Sequence, residues 1–372
     1  MSLDRAIVIH SPSSLEIGAD TRRLVGDWAG TGRILVLTSP SVAPFVEDLG
    51  LTGKFHIHSG IPAEPDDIAL AAAIAAAATF GPDTIIGLGG GSVLDIAKLV
   101  SVLWDGRQNI HDVIGPNLVA AKLARLCLVP TTAGTGSEAG IRALVTNSQT
   151  QMKMAVESPH MRADLAILDP VLTYSVPPTL TAATGIDAMA HCVEAFTNIR
   201  SHDLIDAYAR LGFGLIGQYL RRAVRDGTDT QARGGLMLAS YYGGVCLGPV
   251  NTAAGHSLAY PLGTRLKLPH GLANAIIFPH VLAFNQPVHP EKTNEVLIAL
   301  GLGAAQTHSE AFEKAFGFCQ DLGVDMSLSS HGAKASDLSA WATDAHAIRR
   351  LMDNNPREMS IEDVLQIYQA AF

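Results

Sequence analysis

The spacing of apolar residues divides the chain into two parts with different rhythms. Up to about residue 178 the apolar residues come in short runs. Residues 33–38 are almost wholly apolar and stop at Ser39-Pro40-Ser41, the pattern of a strand buried on both faces. Residues 54–58 and 83–88 read as further strands. Between them Pro65-Asp66-Asp67 opens a helix that runs through a stretch of alanines to Thr79, because proline and acids suit a helix N-terminus. Residues 126–130 and 165–169 give two more strands, the last stopped by Pro170. Strand, helix, strand in this order predicts a parallel sheet with helices on its faces.

Beyond Pro177-Pro178 the β-branched runs become rare. Apolar residues recur at helical spacing over 180–198, 204–222, 231–246, 251–262, 273–284, 292–300 and 308–322. No fixed-period repeat interrupts them. The expected organisation is an α/β domain over residues 1–178 and a helical domain over 179–372.

Composition narrows the function classes. A net charge of −9 leaves no basic surplus to release counterions from a phosphate backbone, so nucleic acid is not expected as a partner. Cys127, Cys192, Cys246 and Cys319 form no CxxC pair, which points away from a disulfide framework or a zinc ribbon and suits a reducing compartment. The start, Met1-Ser2-Leu3-Asp4-Arg5, lacks the charged-then-apolar pattern of a secretory leader. No apolar run reaches 18 residues, so no membrane span is expected. These readings together predict a cytoplasmic enzyme acting on a small molecule.

Two loops carry nucleotide-binding character. Gly89-Gly90-Gly91-Ser92 stands between a strand and a helix, where backbone N–H groups and the helix dipole favour a pyrophosphate. The usual dinucleotide fingerprint is incomplete there: its third glycine is replaced by Leu94, and the turn does not follow the first strand. A tight turn with close helix packing is the plain alternative. After the strand at 126–130 comes Thr131-Thr132-Ala133-Gly134-Thr135-Gly136-Ser137-Glu138, whose small hydroxyl residues offer donors to phosphate and ribose oxygens. An ordinary Thr/Gly-rich loop is the alternative.

The second domain carries a metal pattern. Asp187 and His191 are spaced i, i+4 and so share a helix face. Glu194 lies about 10 Å further along that helix and is expected behind the ligands or at the surface. His256 falls early in another helix. His270 follows Pro269, which suits the first turn of a third. One oxygen and three imidazoles suit Fe(II) or Zn(II) and leave room for a substrate oxygen. The chain has 14 histidines, and His56, His58, His111, His160, His202, His280, His289, His308, His331 and His346 read as packed or surface residues.

These motifs, taken in order, resemble the iron-containing (group III) alcohol dehydrogenase family, which shares its architecture with glycerol dehydrogenase and dehydroquinate synthase. The resemblance spans roughly residues 30–300. It rests on Gly89-Gly90-Gly91-Ser92 with Asp95, Ala97 and Lys98; Pro130 to Glu138; Ala166-Ile167-Leu168-Asp169-Pro170; Gly185-Ile186-Asp187-Ala188 with His191; and Pro269-His270-Gly271-Leu272-Ala273-Asn274-Ala275. It implies that Asp187, His191, His256 and His270 hold the metal. It also implies that Gly90, Gly91, Ser92 and Asp95 belong to the pyrophosphate loop, that Thr131, Thr132 and Thr135 line the cofactor, and that Lys153 stands near the nicotinamide ribose. The implied fold is an N-terminal dinucleotide-binding α/β domain and a helical C-terminal domain with the active site in the cleft between them. The implied cofactors are NAD or NADP and a divalent ion, Fe(II) before Zn(II). The implied assembly is a homodimer or larger.

Three positions depart from common family patterns. Ser39 stands where NAD-preferring relatives often carry Asp, so the repulsion of a 2′-phosphate is missing and both NAD and NADP are expected to serve. Tyr260 stands where many relatives carry a histidine close to the nicotinamide; a phenol can relay a proton there or simply pack. Arg142 replaces a smaller neutral residue, and Arg265 and Lys267 lie between His256 and His270. A guanidinium facing the site would bind an acidic substrate such as a hydroxy acid or a semialdehyde. The alternative is that Arg142 pairs with Glu138 or Glu157, or meets a cofactor phosphate. Two rival functions stay open at this level: a lyase of the dehydroquinate-synthase type, and a non-catalytic protein that binds metal and nucleotide.

Overall fold

The computed structural model describes residues 5–372. It divides into two compact units, Ile9–Ser175 and Val176–Phe372, and the few described residues before Ile9 group with the second.

In the first unit nine strands alternate with three helices: β1 (Ser14–Ile17), α1 (Leu24–Ala29), β2 (Arg33–Thr38), β3 (Lys54–His58), α2 (Asp67–Phe80), β4 (Thr84–Gly89), α3 (Gly91–Leu103), β5 (Gly115–Pro116), β6 (Arg125–Pro130), β7 (Arg142–Thr146), β8 (Lys153–Glu157) and β9 (Leu165–Leu168). Six strands form one sheet in the order β1-β9-β6-β4-β2-β3. Every pairing in it is parallel. Alternate residues of the central strands feed opposite cores. Leu35, Leu37, Ile85 and Leu128 pack on the side of α2 and α3, while Ile34, Val36, Ile86 and Val129 pack on the other. This is why those runs are apolar throughout. The edge strand β3 is mostly exposed and carries Lys54, His56 and His58, polar residues that suit an edge.

The expected strands and the alanine helix are all present, with Asp66 capping α2 through the Ala69 N–H. Three elements depart from expectation. β1 precedes the first expected strand, so Ser39 follows the second strand of the sheet. Arg142 and Lys153, given no element by the sequence, sit on β7 and β8, an antiparallel pair that joins β5 in a separate three-stranded sheet. Beyond residue 322 the chain forms three helices absent from the sequence reading.

The second unit is helical: α4 (Pro178–Thr197), α5 (Asp203–Arg225), α6 (Thr230–Leu247), α7 (Ala254–Arg265), α8 (His270–Asn285), α9 (Pro290–Ala299), α10 (His308–Asp321), α11 (Leu338–His346), α12 (Arg349–Met352) and α13 (Ile361–Ala370). Sixteen of the twenty residues of α4 are buried, so this helix is the axis about which the others pack. Close approach needs small residues: a Cβ on Gly212 of α5 would lie 2.3 Å from the Cys192 sulfur on α4. Two of the late helices brace α7. Tyr368 of α13 donates to the Leu258 carbonyl at 2.6 Å, and Ser257 donates to the Ala345 carbonyl of α11 at 2.7 Å. No helix among the described residues is long and apolar enough to cross a membrane.

Asp169, just past β9, anchors the first unit. Its carboxylate accepts from the Arg22 guanidinium at 2.8 Å, the Arg22 N–H at 3.2 Å and the Val171 N–H at 3.0 Å, and the residue is wholly buried. Removing one partner of a buried pair leaves an uncompensated charge, which costs about 3–5 kcal/mol. Asp169→Ala is therefore expected to lower the unfolding free energy by that amount, read as an earlier urea midpoint for this unit. A change below about 1 kcal/mol would show that water already satisfies Arg22.

Candidate metal centre and nucleotide loops

Three helices of the second unit deliver the four ligands. Asp187 and His191 project from one face of α4, His256 from the first turn of α7, and His270 from the first position of α8. Their ligand atoms all lie within 4.8 Å of one another. Asp187, His191 and His256 are 2–4% exposed, whereas the His270 side chain is a quarter exposed and marks the open side. The His191 and His256 rings stack at 4.6 Å between centroids. The ten histidines assigned to packing or surface roles stay outside this cluster.

Glu194 is buried and turned towards the ligands. Its Oε1 lies 2.6 Å from His256 Nδ1, and its Oε2 accepts from the Ala253 N–H at 2.5 Å. Gly255 makes this possible, because a Cβ there would sit 2.6 Å from Oε1. A carboxylate on Nδ1 fixes the ring and leaves Nε2 for an ion, the usual support for a metal-binding imidazole. Asn274 completes the centre. Its Nδ2 stands 2.7 Å from Asp187 Oδ1 and 3.2 Å from the Nε2 atoms of His256 and His270. Asn274 follows His270 by four residues, the same spacing that singles out Asp187 and His191, and could have been found by it.

The electrostatics fit a cation. Burial opposes the charge on Asp187, but the surrounding imidazoles outweigh it and hold the carboxyl far below its ordinary range. Burial drives the His191 imidazole down to about 4, so it is neutral with a lone pair to give. Burial would also lower His256, yet Glu194 and Asp187 lift it to about 10. A buried site that holds a proton so tightly is one that positive charge stabilises. Loading an ion there expels that proton, so metal affinity weakens as the pH falls.

Tyr260 stands beside this centre. Its ring lies 6.0 Å from that of His270, and its hydroxyl accepts from Arg350 at 3.3 Å. Arg265 pairs with Asp344 at 2.9 Å.

In the first unit the two expected loops meet at the ends of adjacent strands β4 and β6. The Thr131 N–H donates to the Gly89 carbonyl at 3.0 Å. A Cβ on Gly91 would lie 2.5 Å from Thr135, and one on Gly90 would lie 3.3 Å from Thr132. None of Gly89, Gly90 and Gly91 has a positive φ, so close approach is what requires glycine here. Gly90 is the N-cap of α3 and offers no side chain to cap it, which leaves first-turn amides for an anion. Ser92 accepts from the Glu64 N–H at 3.2 Å, and Glu64 pairs with Lys153, so the lysine is tied to the glycine loop. Ser39 follows β2, the neighbour of β4.

Two expected residues have other partners. Asp95 accepts from the Ser137 hydroxyl at 2.6 Å and the Leu144 N–H at 2.9 Å, so both oxygens brace the threonine loop and β7. Arg142 donates to Glu157 from Nε at 3.1 Å and Nη2 at 2.8 Å, the internal pairing that stood as its alternative. Lys98, unassigned in the sequence reading, is fully buried and donates to Ser137 and the Arg142 carbonyl, both at 2.8 Å. Burial lowers its ammonium to about 8, and burial raises the nearby Glu138 to about 7.

Glu194 provides a test of the metal centre. Glu194→Gln turns one acceptor into a donor facing N–H groups and loses the charge behind His256. Metal affinity, read by competition with a chromogenic chelator, should fall roughly 10- to 100-fold. Unchanged affinity would mean that packing alone sets the His256 ring.

Comparison with known proteins agrees with this geometry. Residues 12–170 match the family described as iron-containing alcohol dehydrogenase, and residues 181–372 match its C-terminal counterpart, the Fe-containing alcohol dehydrogenase family, C-terminal. The chain is 33% identical to long-chain-alcohol dehydrogenase 1 of Geobacillus thermodenitrificans, covering 92% of this chain and 90% of that one. It is 32% identical to sulfoacetaldehyde reductase of Bilophila wadsworthia, covering 98% and 97%. Its fold superposes on an alcohol dehydrogenase from Oenococcus oeni with a TM-score of 0.93 and 26% identity, covering 99% of this chain and all of that one. The chain belongs to the iron-containing alcohol dehydrogenase family, as an NAD(P)-linked oxidoreductase of alcohols and carbonyls.

Proposed function

We propose that this enzyme interconverts a short-chain alcohol and its aldehyde, that the aldehyde carries an acid group, and that Fe(II) is its working ion. The observation that carries the reading is the convergence of one carboxylate and three imidazoles within 4.8 Å, with His270 a quarter exposed on the open side. The donor set fits a borderline divalent cation. When bound there, such an ion supplies Lewis acidity towards the substrate oxygen.

The chain's own residues do the rest. Glu194 holds the His256 ring in one orientation, and α4 holds Asp187 and His191 on one face. The first-turn amides of α3 would hold the cofactor pyrophosphate, with Thr131, Thr132, Thr135 and Lys153 as its further contacts. Tyr260, whose ring lies 6.0 Å from that of His270, would pass a proton to or from the substrate oxygen. A nicotinamide bound there would supply hydride transfer with the alcohol carbon, and the protein's part would be orientation.

An acidic substrate has the support of one relative whose name specifies sulfoacetaldehyde. Arg142 is paired with Glu157 within the first unit. A working place in a reducing, cytoplasmic setting is consistent with four cysteines that are all free and buried. The lyase and non-catalytic readings lose ground because the relatives named above are dehydrogenases or reductases.

The test is a carbonyl-reduction screen on metal-reconstituted protein with NADH and NADPH in parallel. Turnover of aldehydes with net cofactor oxidation is expected, since a lyase would recycle its NAD. Ser39 in place of an acid predicts that kcat/KM for the two cofactors differs by less than ~1000-fold, or about 4 kcal/mol. A larger preference for NADH would locate the discrimination elsewhere in the loop set.

A further inference from the structure

We propose that Arg350, resting on Tyr260, is the receptor for the acid group of the substrate. The proposal rests on the alcohol–aldehyde reading of the metal centre and adds a residue that lies outside the motifs carrying the family resemblance.

Arg350 is exposed on the short helix α12. Its Nη2 donates to the Tyr260 hydroxyl at 3.3 Å, and its guanidinium carbon lies 5.6 Å from the centre of the Tyr260 ring. The same ring lies 6.0 Å from His270, the ligand on the open side of the centre. One aromatic ring therefore separates a guanidinium from the metal site.

The neighbouring carboxylates are claimed by other cations. Asp353 pairs with Arg349, and Asp344 pairs with Arg265. Among the described residues no carboxylate lies within ion-pair distance of Arg350. A guanidinium carries five N–H donors in a planar fork, and a single one is used on Tyr260. Stacking on a phenol face steadies the cation without neutralising it. The remaining fork matches two oxygens of a carboxylate or a sulfonate.

The chemistry common to both is a small oxyanion at the end of the substrate away from the reacting carbon. A neutral aldehyde gains nothing from such a group. An acidic aldehyde gains affinity and also direction, because the oxyanion on Arg350 turns its other end towards His270. The distance spanned by one ring favours short substrates.

The experiment uses metal-loaded full-length enzyme and two matched comparisons: sulfoacetaldehyde against propionaldehyde, and succinic semialdehyde against butyraldehyde. In Arg350→Ala the acidic-to-neutral ratio of kcat/KM should fall at least tenfold, or about 1.4 kcal/mol, chiefly through KM. Arg350→Lys should recover part of the ratio, and Arg350→Glu should lower it further. A fall confined to one pair identifies the anion as sulfonate or carboxylate. A ratio within twofold of wild type in both pairs overturns the proposal while leaving the dehydrogenase reading intact. If no aldehyde is turned over, calorimetric titration with ethanesulfonate and butyrate decides: binding that is lost in Arg350→Ala supports the receptor, and binding that is equal in both proteins, or absent from wild type, overturns it.

Discussion

Burying a carboxylate among three imidazoles is unfavourable unless positive charge is placed between them. That constraint governs the helical unit. Asp187 is 2% exposed, and the groups around it are ring nitrogens and one amide. α4 carries Asp187 and His191, α7 carries His256, and α8 carries His270 and Asn274, so the centre exists only when all three helices are in place. Glu194 links two of them, because it belongs to α4 and binds both the ring of His256 and the N–H of Ala253 at the start of α7. The late helices α11 and α13 hold α7 from behind through Ser257 and the Leu258 carbonyl. A structural role thus extends to the last residues of the chain.

The nucleotide loops obey a different constraint, close approach of backbone. Gly91 cannot carry a Cβ because Thr135 is already there, and Gly89 cannot because of Val93. Behind these contacts stands a buried polar brace in which Asp95, Ser137 and Lys98 hold the threonine loop and β7 to α3. The motif residues of this unit therefore do two kinds of work. Gly90, Gly91 and Ser92 stand at the start of α3, while Asp95 and Lys98 keep the neighbouring loop in position.

Much of this was legible in the sequence, for identifiable reasons. Strands buried on both faces leave unbroken apolar runs, so the central strands β2, β4, β6 and β9 could be read directly. Ligands at i, i+4 on one helix share a face, so Asp187 and His191 could be paired, and Pro269 marked the helix start that presents His270. The misses have equally local causes. β1 has four residues, and three of them are exposed, so it has no apolar run to notice. Arg142–Thr146 and Lys153–Glu157 alternate in burial, because one face of that hairpin is half open. Glu194 was expected behind the ligands or at the surface, and it stands behind His256; spacing along α4 could not choose between the two because it ignores that α7 crosses beside it. The role of Arg350 depends on α12 meeting α7 over 90 residues of sequence, which no local pattern reveals.

The central claim is that Asp187, His191, His256 and His270 share one ion. Its most direct measurement is the metal content of anaerobically reconstituted protein after removal of loose metal, for wild type and for His256→Ala. One tightly held divalent ion per chain in wild type, lost in the variant while the helical content is kept, is the result this account predicts. Wild type that retains no ion, or a variant that retains as much as wild type, would contradict it.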